Sequence, residues 1–245
     1  ATIRLGVSLE MTPFMMGEER KGGGGGIVIK GRDGNQTRYS IGMKYDGKDT
    51  FTKDAVNSLN SIYNNGGDFG EQLISTLVNS RYAYYIVDLA EGRSNFLPDE
   101  TFSAYHSINS DLWDDAGEGD MFLSLHEFDC GSGGTIQWNQ MQDYLSVDGI
   151  AQNSTFVLLH ELCHAWDASL GLMDNFPQNH NELTYNDCSA CYFSNMIAIN
   201  MGIPIQTYYP GKKAKYCIET GKKSGQWFKV VDNDNNPIFK NRYTK

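Results

Sequence analysis

The stretch STFVLLHELCHAWDASLG constrains this chain more than any other part of it. Read at 3.6 residues per turn it is apolar on most sides, through Val157, Leu158, Leu159, Leu162, Ala165, Trp166 and Leu170. A helix here has almost no wet face, so it must lie at the centre of a fold. Ser154 stands where an N-cap is wanted and Gly171 where a left-handed C′ residue is wanted, which predicts at least four turns between them. Inside that apolar cylinder sit His160, Glu161 and His164. Residues four apart project from one helix face, so the two imidazoles stand one turn above the other and can share one ion. Glu161 is turned by about 100° from His160, near enough to reach a water beside that ion but out of line to ligate it.

Without a partner, two imidazoles and a carboxylate in apolar surroundings cost several kcal/mol, and a metal removes that cost. The spacing HExxH on a helix points to zinc. Zinc lowers the pKa of a water towards neutrality, and the glutamate takes the proton as the water attacks a peptide carbonyl, then passes it to the leaving amine. A catalytic zinc needs a third protein ligand and an open position. Asp167, Asp174, His180, Glu182 and Asp187 are the downstream candidates. The longer pattern HExxHxxGxxH is excluded, because Asp167 and Leu170 stand where it requires Gly and His. Asp167 reads as a neighbour that supports a ligand, with ligation itself left open. Glu182 is preferred: a helix expected over 181–201, ended by Gly202 and Pro204, would return antiparallel after NFPQNH and carry Glu182 over the two histidines. His180 is its main rival. Tyr185, Tyr208 and Tyr209 are all eligible to steady the oxyanion, and the sequence does not choose among them.

Around the central helix the patterns predict an α+β chain. IRLGVSL, IVIKG and TRYSIGMKY, with the turn GRDGN, read as an N-terminal antiparallel sheet. The glycine block from Gly22 to Gly26 follows no strand and lacks a GK[ST] ending, so it reads as a loop and not as a phosphate cradle. A helical period starts at Thr52, carries Ala55, Val56, Leu59 and Ile62, and ends at Gly66-Gly67. Phe69 to Val78 reads as a second helix and YAYYIVDL as a buried strand. Residues 92–133 read as long loops broken by the strand MFLSLHEF. TIQWNQ is a short strand with two readings: a cleft edge to which an extended substrate adds, or a core strand that buries Trp138. The expectation is one zincin-like domain over residues 1–245, with a core of about 50–210 and a basic extension from 211 to 245.

Charge and cysteine usage narrow the partners. A formal charge of −10 opposes phosphate backbones and anionic lipid, so nucleic acid and membrane surfaces are excluded as partners in favour of a neutral or basic protein. No run of eighteen apolar residues occurs. The chain begins at Ala1 and not at methionine, which suits a processed product or a fragment and leaves room for an export signal since removed. The 5 cysteines are an odd number in a chain too long to need staples. Cys188 and Cys191 form a CxxC but have no second such pair, so they read as small buried residues on one helix face.

LLHELCHAWDASLG, preceded by GSGGTIQWNQ and followed by NEL and SNMIAINMGIPIQTYY, resembles the NleD-type effector metallopeptidases of bacterial pathogens, over roughly residues 50–210. The resemblance implies a secreted zinc endopeptidase delivered into host cells, where it cuts a host signalling protein. It puts the metal ligands on His160 and His164, the base on Glu161, and the glutamate of the family's E-L element on Glu182. Two departures accompany it. Ser194-Asn195 stands where a Glu-Asn pair is expected, and Ala198 and Gln206 stand where arginines are expected. These positions bear on substrate or packing more than on the metal. The HELxHA core is also similar to clostridial neurotoxin light chains, but the strand and Gly-x-Pro contexts fit the effector family better. The alternative from another class is a catalytically silent zinc-binding interaction domain of a larger toxin, against which the retained Glu161 argues; a hydrolase of some non-peptide amide is a third.

Overall fold

The computed structural model describes residues 24–104, 131–141, 153–173 and 184–206. Five strands form one sheet: β1 (Gly26–Lys30), β2 (Gln36–Arg38), β3 (Ala83–Asp88), β4 (Asn95–Pro98) and β5 (Gly134–Trp138), in the order β2-β1-β3-β5-β4. The first hairpin is antiparallel, as expected. Beyond it the sheet is mixed, because β1, β3 and β5 run parallel and only β4 reverses again. The cause lies in the connection: helices α1 (Thr50–Asn65) and α2 (Gly67–Val78) form a crossover between β1 and β3, and a parallel pairing needs such a crossover. TRYSIGMKY contributes only Thr37 and Arg38 to β2 before the chain turns, with Gly42 at φ 76°. The stretch expected as loop holds β4 and the short α3 (Thr101–Ala104). IRLGVSL and MFLSLHEF lie outside the described residues.

β3 and β5 follow the period of two that a one-sided core demands, while in β1 Val28 is buried as well. Ile27 and Ile29, Tyr84 and Ile86, Phe96, Ile136 and Trp138 all enter the buried cluster, and the helices supply most of the rest of it. Among them is α4 (Ser154–Ser169), which packs on β4 and β5 and also on α2 and α5 (Tyr185–Met201). Every residue from Phe156 to Ala168 is buried. The side chain that caps α4 is Asn153, one residue before the expected Ser154: its Oδ1 accepts the Phe156 N–H at 2.9 Å. Gly171 takes the C′ place at φ 69°, while the Leu172 N–H reaches the Asp167 carbonyl at 2.8 Å.

Freed from capping with its side chain, Ser154 offers its carbonyl to the Trp138 indole N–H at 3.0 Å, which pins the end of β5 to the start of α4. Trp138 is fully buried and packs on Phe51 at 5.5 Å between ring centroids. The reading of TIQWN as a cleft edge is therefore corrected. β5 is an interior strand, with β3 on one side and β4 on the other, and Trp138 serves the core.

Glycines let α1, α2 and α5 approach one another. A Cβ on Gly70 would run into the Ile62 carbonyl oxygen and would stand 3.6 Å from Ile197 of α5. Alanine in a helix interior ordinarily stabilises by about 0.5–1 kcal/mol over glycine. Gly70→Ala should instead lower the melting temperature, and a raised one would show that these helices are not in close contact here.

Candidate metal centre

The central helix brings His160, Glu161 and His164 together as the spacing predicts, and takes all three out of water. Their relative exposures are 1%, 2% and 8%. The imidazole rings stand edge to face, with centroids 4.9 Å apart and planes at 82°. His164 Nδ1 is buried and makes no hydrogen bond. An unsatisfied buried polar atom costs about 1–3 kcal/mol, so the pair sits in a state that a metal and its supporting contacts would relieve.

Electrostatics prepares the same pair. Burial pushes the pKa of His160 down to about 3; the neighbouring His164 adds to the fall and the Asp187 carboxylate partly opposes it. The ring is therefore neutral across the physiological range, the form that ligates metals. Asp187 belongs to the first turn of α5. Thr184 accepts its N–H at 3.1 Å and donates its own hydroxyl to Asp187 Oδ2 at 2.9 Å, a capping box that starts α5 at Tyr185, later than the expected 181. Asp187 was a candidate ligand; its Oδ2 is engaged in the cap, while its charge still reaches His160.

The other sulfur and carboxylate groups fall into place around this pair. Burial, with the nearby charges of Asp167 and Glu161, pushes the Cys163 thiol well above its ordinary range, so it behaves as a small apolar residue. Asp167 is 1% exposed, in the last turn of α4, close enough to Cys163 to act on its thiol. Cys191 is fully buried, as the packing reading of the CxxC holds; the side chain of Cys188 lies outside the described residues. So do Asp174, His180, Glu182, Tyr208 and Tyr209, and so does the side chain of Tyr185, the first residue of α5. Among the described residues no cluster of three or more His, Cys, Asp or Glu is arranged to hold a metal, so the described donors are the histidine pair. The donors fit a metal that takes imidazole: two buried rings on one face with a carboxylate beside them. No described helix is long and apolar enough to cross a membrane.

The sequence reading missed two features here. Asn186, in the first turn of α5, is 7% exposed with its Oδ1 buried and making no hydrogen bond. Gln206 departs from the family pattern and Asn195 follows it, and the two bond to each other across the end of α5. No local pattern announces either, since both depend on what packs around the helix.

Compared with known families, residues 40–191 match the model of Peptidase M91, described as an effector protein. That span runs from the turn before α1 into α5 and takes in the whole of α4. No curated protein and no solved structure matches the chain.

The lowered pKa of His160 has a direct consequence for stability. The unfolded chain binds a proton at this residue near pH 6.5, whereas the folded chain resists it down to about 3. Stability from this source is thus present above pH 6.5 and lost as pH falls towards 3. Urea unfolding of metal-free protein should show a shallower dependence on pH across that window for His160→Gln than for wild type. Equal slopes would count against a buried neutral His160.

Proposed function

Because the chain belongs to the Peptidase M91 effector family, we propose that it is a zinc-dependent endopeptidase whose ligands include His160 and His164 and whose general base is Glu161. The observation that carries this reading is the buried pair of imidazoles, 4.9 Å apart, with Glu161 next to them on the same central helix. Glu182 is the third ligand in this proposal. When bound, zinc supplies a Lewis acid for the scissile carbonyl and brings the pKa of a water near neutrality. Glu161 takes the proton of the attacking water on its carboxylate and delivers it to the departing amine nitrogen. The phenol of Tyr185 or Tyr208 donates a hydrogen bond to the carbonyl oxygen as negative charge gathers there.

An extended substrate needs a strand edge beside the helix, and β5 does not offer one. Of the strands packed on α4, β4 is the outermost among the described residues, so its edge is the one a substrate would extend. Leu97 on β4 is 48% exposed. The substrate is a protein inside a host cell, a signalling protein by the family resemblance, and the net charge of −10 favours a neutral or basic one.

Two variants test the chemistry. Glu161→Gln should keep its zinc and lose cleavage by about 10²–10⁴-fold. Comparing the new N-termini that wild type and this variant generate in host lysate would expose both the substrate and the cleavage site. Stoichiometric zinc with no new termini from wild type would instead support a silent binding domain, and turnover of a small amide alone would point to a non-peptide hydrolase. Glu182→Ala should bind zinc far more weakly; unchanged metal content would shift the third ligand to His180 or Asp167.

A further inference from the structure

Hydrogen bonds at the two ends of β5 tell which main-chain groups lie on the outer edge of β4. The Leu89 N–H donates to the Trp138 carbonyl at 3.1 Å, on the β3 side, and the Asp99 N–H donates to the Gly133 carbonyl at 3.0 Å, on the β4 side. Even-numbered residues of β5 therefore turn their main-chain groups to β3 and odd-numbered ones to β4. Asn95 and Leu97, opposite Gln137 and Thr135, direct theirs to β5. Phe96, opposite Ile136, turns its N–H and C=O outward, and no described strand pairs with them. Two residues on, Pro98 offers a carbonyl and has no N–H.

This edge runs level with the histidine pair. β5 is tied to α4 at both ends: the Trp138 indole N–H donates to the Ser154 carbonyl at 3.0 Å, and the Ser132 N–H to the Ala168 carbonyl at 2.9 Å. From Ser154 to Ala168 the helix rises about 21 Å, and extended chain from Ser132 to Trp138 spans about 20 Å, so strand and helix lie side by side and antiparallel. β4 reverses against β5 and so runs with α4, on which it packs. Phe96 and Leu97, opposite Ile136 and Thr135, then stand level with the turn of α4 that carries His160 and Glu161.

Neighbouring side chains on β4 face opposite ways. Phe96 is 8% exposed and enters the core with Ile136, while Leu97 is 48% exposed on the other face, where its row continues through Thr135, Tyr85 and Val28. A strand added to this edge puts one side chain directly beside Leu97, and a cross-strand pair with leucine favours an apolar one. The N–H and C=O of Phe96 hold such a strand in register, since Pro98 supplies no second donor. We propose that Leu97 is a specificity-determining residue: the substrate binds extended, hydrogen-bonded to the Phe96 main chain, with an apolar side chain against Leu97. This rests on the peptidase reading above.

Zinc-loaded, full-length protein acting on host lysate tests this, with Glu161→Gln as the blank. The new N-termini made by wild type should share an apolar residue at one fixed distance from the cut. Leu97→Asp, at an exposed position, should keep its zinc and its fold, lower kcat/KM on such a site by at least about tenfold, and shift that one position towards Lys and Arg. A second measurement leaves the enzyme unchanged and uses a peptide spanning the cut, N-methylated at one residue at a time. Methylation should lower kcat/KM by at least about tenfold at the apolar residue if the substrate runs parallel to β4, or at the residue after it if antiparallel. That N–H is the one the Phe96 carbonyl accepts. Wild type that generates no new termini overturns the peptidase reading and this inference with it. Wild-type cleavage with an unchanged residue preference in Leu97→Asp, or with no loss at either N-methylated position, overturns this inference alone.

Discussion

Two imidazoles and a carboxylate carried on a helix with no wet side create the demand that the rest of the structure meets. A helix buried from Phe156 to Ala168 needs cover all round, and it receives β4 and β5 on one side and α2 and α5 on the other. Its ends are then fixed from within: Asn153 caps the start, the Trp138 indole holds the Ser154 carbonyl, and Gly171 closes the last turn. The Trp138 contact comes from β5, so the placement of His160 and His164 is tied to the sheet. Loosening Trp138 would move the start of the helix that presents both rings.

Burial does chemical work at this centre by selecting protonation states. It holds His160 neutral, the form of the ring that can ligate a metal, and it holds the Cys163 thiol, next to His164 in the chain, in its protonated and non-ligating form. Asp187 pulls His160 the other way but less strongly. The His160 ring is thus tuned by low polarity around it more than by opposite charge, which leaves it in the neutral form that metals take.

The parts of this molecule legible in its sequence are those set by local patterns. α1, α2 and α4 follow from apolar spacing and glycine stops, and the histidines and glutamate of α4 follow from spacing alone. Errors arose where two neighbouring residues could each do the job or where distant segments decide. Asn153 and Ser154 are both good caps, and only the structure tells which one faces the Phe156 N–H. The T-x-x-D of Thr184 and Asp187 marks the start of α5, but the E-L element before it drew the boundary earlier. β5 became an interior strand because β4 pairs with it, and a four-residue strand ending in Pro98 leaves little trace in a polar stretch. Gln206 looked like a departure from a family pattern, yet it forms with Asn195 a pair whose meaning exists only in three dimensions. Glu182 and Tyr208 lie outside the described residues and remain proposals.

The central claim is that His160 and His164 together hold one zinc ion inside the fold. X-ray absorption at the zinc edge of the loaded protein tests it most directly. The account predicts one zinc per chain, four-coordinate, with the multiple-scattering signature of two imidazoles at about 2.0–2.1 Å and the remaining ligands oxygen. A shell without imidazole scattering, or one dominated by sulfur, would contradict it.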